Sequence, residues 1–150
     1  SMALVHQKLY ESNDLSQIEL KSYIKDLFRF IECYEINKPK IIIDIQENIM
    51  LDVEMAVPIG LIVSELIIDS QKHAFKDTPN PSILFKSSFK KNQIMIEYSD
   101  NGCGLSEDFS LDKSGQLGLK MAKNIAENQL KGTFEISGKS GFLCRMSFIP

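Results

Sequence analysis

A chain of 150 residues is the size of one domain with a single core, and 43% hydrophobic with 25% charged residues is ordinary for a globular protein. A formal net charge of −3 gives no support for nucleic-acid binding, and no apolar run approaches the ~20 residues that span a bilayer. The three cysteines, Cys33, Cys103 and Cys144, are odd in number and lack metal-site spacing, so a reduced cytosolic compartment is the simplest expectation.

In chain order, residues 2–10 read as the end of a helix and Ser12, Asn13 and Asp14 as a turn or cap. Tyr23, Ile24, Leu27, Phe28 and Ile31 have helical spacing and predict a helix from Glu19 to Cys33. Lys38-Pro39-Lys40 breaks it, and the β-branched run Ile41 to Ile45 predicts a strand. Pro58 is expected in the first turn of a long helix that ends near Phe75. Asp77 to Pro81 reads as a loop. Two strands, Ser82 to Phe89 and Gln93 to Ser99, are expected to meet in a hairpin at Lys90-Lys91-Asn92. Residues 105–116 are polar and read as a short loop, and Leu117 to Gln129 as a helix. Thr133 to Ser137 and Phe142 to Phe148 read as a closing hairpin around Gly138 to Gly141. This order predicts an α+β fold, a two-layer sandwich with a mixed, mostly antiparallel sheet and helices on one face.

The chemistry concentrates in three segments. On the long helix, Ile59, Val63, Leu66, Ile67, Ser70 and Ala74 share one face, the pattern of a core-packed helix. Glu65, Asp69, Lys72 and His73 form a second stripe beside it. Hard carboxylate oxygens next to an ammonium suit a metal-bound polyphosphate, although a solvated helix face with ordinary charge pairs has the same pattern. The second segment is Asp100-Asn101-Gly102-Cys103-Gly104, at the end of an alternating apolar run. Its glycines allow a sharp turn and a close backbone approach, and they leave Asp100 free to accept from an amino group. An ordinary Asp/Asn-Gly turn explains it equally well. The third is Gly115-Gln116-Leu117-Gly118-Leu119, ahead of a helix whose free N–H groups could face an anion.

In this order and spacing, the three segments resemble the N box and the two glycine boxes of the ATP-binding domain shared by sensor histidine kinases, DNA gyrase, a heat-shock chaperone and mismatch-repair ATPases. Residues Ser1 to Ser16, Ala56 to Leu66 and Lys131-Gly132-Thr133 are similar to one branch of bacterial sensor histidine kinases, whose acceptor box begins His-His-Arg. The resemblance implies that 1–15 is the end of a dimerisation and phosphotransfer helix with its linker, and that 16–150 is the ATP-binding catalytic domain. It implies ATP and Mg²⁺ as cofactors. Glu65 would be the catalytic residue that orients or polarises the attacking group. Asp69 would hold Mg²⁺, Lys72 would contact phosphate, and His73 would lie against the nucleotide. Asp100 would accept from the adenine amino group. Gly102 and Gly104 would let the backbone approach the base, Gly118 would do so at the phosphates, and Leu119 is a secondary binding candidate. The implied partners are the protein's own phosphotransfer domain and a response regulator. The whole protein would be a homodimer, cytoplasmic in its catalytic part.

Three departures matter. Asp69 stands where the pattern has Asn, which adds a carboxylate near the phosphates. Phe142 follows Gly141 where relatives tend to have Thr. His6 matches a later histidine of the second helix, not the acceptor, so the acceptor is expected outside these residues. A degenerate kinase that serves as a nucleotide-binding module and an anti-sigma-factor-type serine kinase are the rival readings.

Overall fold

The computed structural model describes residues 17–32, 38–113 and 116–150. The expected helix end at 2–10, His6, the domain boundary at 15, Cys33 and Gly115 lie outside them. Strand β1 (Gln17–Glu19) leads into helix α1 (Leu20–Glu32). Strands β2 (Lys40–Ile45) and β3 (Met50–Asp52) precede helix α2 (Val53–Asp69), which continues as a π turn over Ser70–Ala74. Strands β4 (Ser82–Lys90) and β5 (Gln93–Asp100) follow. Helix α3 (Leu117–Asn124) also ends in a π turn, Ile125–Gln129, and strands β6 (Thr133–Ser137) and β7 (Leu143–Phe148) close the chain.

The main sheet has the order β2-β4-β5-β7-β6, with β2 parallel to β4 and every other pair antiparallel. Its inner face carries Ile45, Ile83, Phe85, Ile96, Tyr98 and Met146, all buried in one cluster with the helices. Its outer face is charged. Asp44, Lys86, Glu97, Arg145 and Glu135 stand opposite one another across all five strands, in alternating sign. Opposite charges placed directly across strands are favourable. The helices therefore cover one side only, as the element order predicts.

The β4–β5 hairpin turns on Lys91 and Asn92, both with positive φ (53° and 59°), the backbone of a two-residue turn that matches strand twist. The start of α2 differs from the sequence expectation. Asp52 is the N-cap and accepts from the Met55 N–H at 3.1 Å, so the helix opens at Val53. Pro58 therefore lies in the second turn, where its missing N–H removes one bond to the carbonyl four residues back. The overlooked signal was the Asp cap. The short strands β1 and β3 pair with each other, Ile18 opposite Leu51, and were not expected either.

Candidate functional site

Helix α2 is buried along Ile59, Val63, Leu66 and Ile67, with Ser70 and Ala74 in the π turn beyond them. Burying side chains of this size is worth roughly 1.5–3 kcal/mol each, which fixes the rotation of the helix about its axis. That rotation sets the second stripe at the edge of the core. Glu65 and Asp69 are half-buried, and Lys72 and His73 are exposed. The wider π turn falls on Lys72 and His73, and such turns are frequent at functional sites.

Strand β5 delivers Asp100 to the same place. Ile94, Ile96 and Tyr98 alternate inward, so Asp100 also points inward, with only 7% of its surface exposed. A buried carboxylate needs hydrogen-bond donors. Asp100 Oδ1 accepts from the backbone N–H of Gly102 at 2.9 Å and of Phe142 at 3.2 Å. Oδ2 accepts from the Ser70 hydroxyl at 2.7 Å.

The turn after Asp100 is fastened to the end of α2. Cys103 N–H donates to the Ala74 carbonyl at 3.0 Å, and the Cys103 thiol donates to the His73 carbonyl at 3.3 Å. A Cβ on Gly102 would lie 2.4 Å from the Ala74 oxygen, so glycine here serves the contact between the two segments. Gly104 has φ +72°, and a Cβ on it would lie 2.2 Å from the Gly138 oxygen. At these two positions the close backbone approach is to the protein's own chain.

A cavity of about 450 Å³ opens between these parts. Asp69, His73, Asp100 and Gly104 line it, together with apolar Leu105, Phe109 and Phe142. Gly102, Glu65, Lys72, Gly118 and Leu119 do not line it. Glu65 lies one turn back, where a Cβ on Gly118 would be 2.6 Å from its Oε2. Lys72 is exposed to solvent, and the Leu119 side chain is buried in the core, so only its backbone could face a ligand.

Burial pushes the Asp69 carboxyl above its usual range. His73 opposes the shift, Asp100 and Glu65 add to it, and Lys72 opposes it. Among the described residues, no three His, Cys, Asp or Glu side chains converge to hold a metal. A cation at Asp69 would take the rest of its shell from a ligand and water, which is how Mg²⁺ commonly binds.

Ser70, Tyr98 and Phe142 are the site residues that sequence reasoning missed as such. Ser70 offered a signal, a hydroxyl on the core face of a helix. Phe142 is buried and packs edge-on against Tyr98 with ring centroids 6.3 Å apart; its N–H donates to Asp100 Oδ1 and its carbonyl accepts from the Asp100 N–H. A large apolar side chain there turns the expected polar position into a wall of the cavity.

Residues 1–33 match the family HisKA_2, described as histidine kinase. The sensor histidine kinase PdtaS of Mycobacterium tuberculosis H37Rv is 27% identical over 135 residues, which is 89% of this chain and 27% of that protein. The chain thus spans about a quarter of the length of this relative. A blue-light-activated histidine kinase 2 of Erythrobacter litoralis is 29% identical over 82 residues, 54% of this chain and 24% of that protein. Among solved structures, the histidine kinase domain of the Erythrobacter litoralis EL346 blue-light activated kinase superposes with a TM-score of 0.81 at 22% identity. That match covers 97% of this chain and 69% of the other. The nucleotide-free catalytic domain of the histidine kinase ThkA superposes with a TM-score of 0.74 at 16% identity, over 89% and 95% of the two chains. The α+β sandwich is that of histidine kinase catalytic domains, and the resemblance to sensor histidine kinases holds in both fold and sequence relatives.

Proposed function

From the premise that this chain shares its fold and its sequence relatives with sensor histidine kinases, we propose that 16–150 is an ATP-binding catalytic domain. It delivers the γ-phosphoryl of ATP to a histidine on a neighbouring phosphotransfer domain. The observation that carries this reading is Asp100, a buried carboxylate on the wall of a cavity shared with Leu105, Phe109 and Phe142, with two donors on one oxygen and one on the other. An acceptor-only group in such a place suits an amino group, and adenine presents one where guanine presents a carbonyl.

In this reading Asp100 accepts from the adenine amino group, and Phe142, Phe109 and Leu105 flank the base. Asp69 would hold Mg²⁺, which would supply charge neutralisation at the triphosphate. Lys72 gives a mobile point charge to phosphate. Glu65 orients the attacking imidazole, and His73 lies against the nucleotide. Phosphoryl transfer depends mainly on positioning and charge, so no covalent role is needed from these side chains. The partners are the protein's own phosphotransfer domain and a response regulator, in a homodimeric protein with a cytoplasmic catalytic part. Leu117 and Met121, one turn apart on α3 and 79% and 39% exposed, give an apolar step for contact with the phosphotransfer domain. No helix among the described residues is long and apolar enough to cross a membrane.

The test is calorimetric titration with ATP and with GTP in Mg²⁺, followed by label transfer from ATP to a separately supplied phosphotransfer domain. ATP is expected to bind much more tightly than GTP, and the acceptor domain to gain acid-labile label. Equal affinity for the two nucleotides, or none, overturns the reading. Asp69 supports one alternative, a degenerate kinase used as a binding module, because it sets a third carboxylate beside Glu65 and Asp100. ATP binding without label transfer would favour it.

A further inference from the structure

Tyr98 is a fully buried phenol whose role the reading above leaves open. Its hydroxyl is 2.7 Å from Ser70 Oγ and donates towards the Leu66 carbonyl at 3.2 Å. Ser70 donates its own proton to Asp100 Oδ2 at 2.7 Å. Leu66 is four residues before Ser70 on the same helix. A helical serine can turn its hydroxyl back to that carbonyl. Here the Tyr98 hydroxyl occupies the carbonyl, so the serine proton is left for the carboxylate. Because the serine proton is committed to Asp100, the single phenol proton is shared between Ser70 Oγ at 2.7 Å and the Leu66 carbonyl at 3.2 Å.

We infer that Tyr98 is a positioning residue for base recognition, acting through Ser70 to hold Asp100 Oδ2 in the orientation that accepts an exocyclic amino group. The inference rests on the adenine-nucleotide reading and names what sets its selectivity. Oδ1 is already saturated by the N–H groups of Gly102 and Phe142. Oδ2 accepts one bond among the described residues, so a lone pair remains for the ligand. Without the Tyr98 hydroxyl, Ser70 is free to turn to the Leu66 carbonyl, and Oδ2 loses the one donor it has among the described residues. The carboxylate then rotates about its outer torsion, which is soft.

The experiment compares two nucleotides in three variants. The nucleotides are ATP and purine riboside triphosphate, which lacks the 6-amino group and is otherwise the same. The variants are Tyr98→Phe, Ser70→Ala and the double substitution. Calorimetry in Mg²⁺ gives the preference for ATP over the analogue, and thermal melting checks that each variant folds. Tyr98→Phe is expected to cut the preference about three- to ten-fold, the worth of one hydrogen bond, with analogue affinity unchanged. Ser70→Ala is expected to do at least as much, and the double variant no more than Ser70→Ala, because the two act in series. Ser70→Thr, which keeps the hydroxyl, should retain the preference. If Tyr98→Phe weakens both nucleotides by one factor, its role is structural and the inference fails. Additive losses in the double variant overturn the series. If the unaltered chain prefers ATP through Asp100 and Tyr98→Phe leaves that preference intact, the inference alone falls. If the unaltered chain binds no ATP, the nucleotide reading falls, and this inference with it.

Discussion

At the Asp100 end of the cavity the polar groups already have partners. Two backbone N–H groups, Ser70 and Tyr98 surround the carboxylate, and no buried side-chain N or O among the described residues lacks a hydrogen bond. Along the neighbouring edge of the helix and its π turn, Glu65, Asp69, Lys72 and His73 sit in partial or full exposure, and none of the four forms an ion pair with a described residue. The first end is hydrogen-bonded before any ligand arrives. The second carries charges that only a ligand and a cation would bring together. A preorganised end recognises, because a mismatched group leaves a buried acceptor unmet. An unpaired end responds to whatever charge is supplied.

Removing the carboxylate is the strongest way to break this contrast. Asp100→Ala should lower ATP affinity about 10- to 100-fold, the range for a hydrogen bond to a charged group, and abolish the preference over GTP. It also leaves Ser70, Gly102 N–H and Phe142 N–H without their acceptor, so the melting temperature should fall. If ATP and GTP already bind the unaltered chain equally, the recognising end is misassigned.

Asp69→Asn probes the other end. Without metal, a triphosphate meets both Asp69 and Glu65. At an effective dielectric near 20, each repulsion at ~5 Å costs on the order of 3 kcal/mol before screening. Bound Mg²⁺ reverses the sign, because the carboxylate becomes a ligand. The substitution should therefore improve ATP binding in EDTA about ten-fold after screening and weaken Mg²⁺-ATP binding. An equal factor in both buffers would remove Asp69 from the metal.

A smaller effect is expected where neither end is touched. Leu117→Ser on the exposed apolar step should slow label transfer to the phosphotransfer domain a few-fold, as expected from losing part of one buried leucine. ATP affinity should stay unchanged. If ATP affinity drops as well, the step belongs to the nucleotide site.

The sequence made the sheet and its one-sided helices legible because periodicity reports burial. Ile94 to Tyr98 and the α2 face alternate or recur as the core requires, and Ile41 to Ile45 is marked by its β-branched run. It was least informative where a single polar residue decides. Asp52 starts α2 six residues before Pro58, and a lone Asp has no period to mark it. Asp69, His73, Asp100 and Gly104 were legible as neighbours because box order stands in for geometry. Ser70 and Tyr98 were not, since their pairing joins a helix to a strand 28 residues away, and only the register of the fold brings the hydroxyls together.

The smallest expected effect concerns the pH dependence of stability, and it tests whether the unpaired end really stores unfavourable charge. Burial holds the folded Asp69 carboxyl above its ordinary range. In strong acid both folded and unfolded states carry the proton, and Asp69 contributes nothing. As pH rises through the ordinary carboxylate range, the unfolded chain releases its proton first, so the folded state loses relative stability. The loss grows until pH passes the raised folded value and is constant above it. Asparagine does not titrate. Asp69→Asn should therefore raise the melting temperature more at about pH 7.5 than at about pH 4, measured without nucleotide or metal. Lys72 and His73 soften the effect, since both favour the ionised form and both disappear from the balance with the carboxylate. The prediction separates cleanly from the binding test, because it needs no ligand. An increment that is the same at both pH values would mean that folding does not burden Asp69, and the contrast between the two ends would then rest on hydrogen bonding alone.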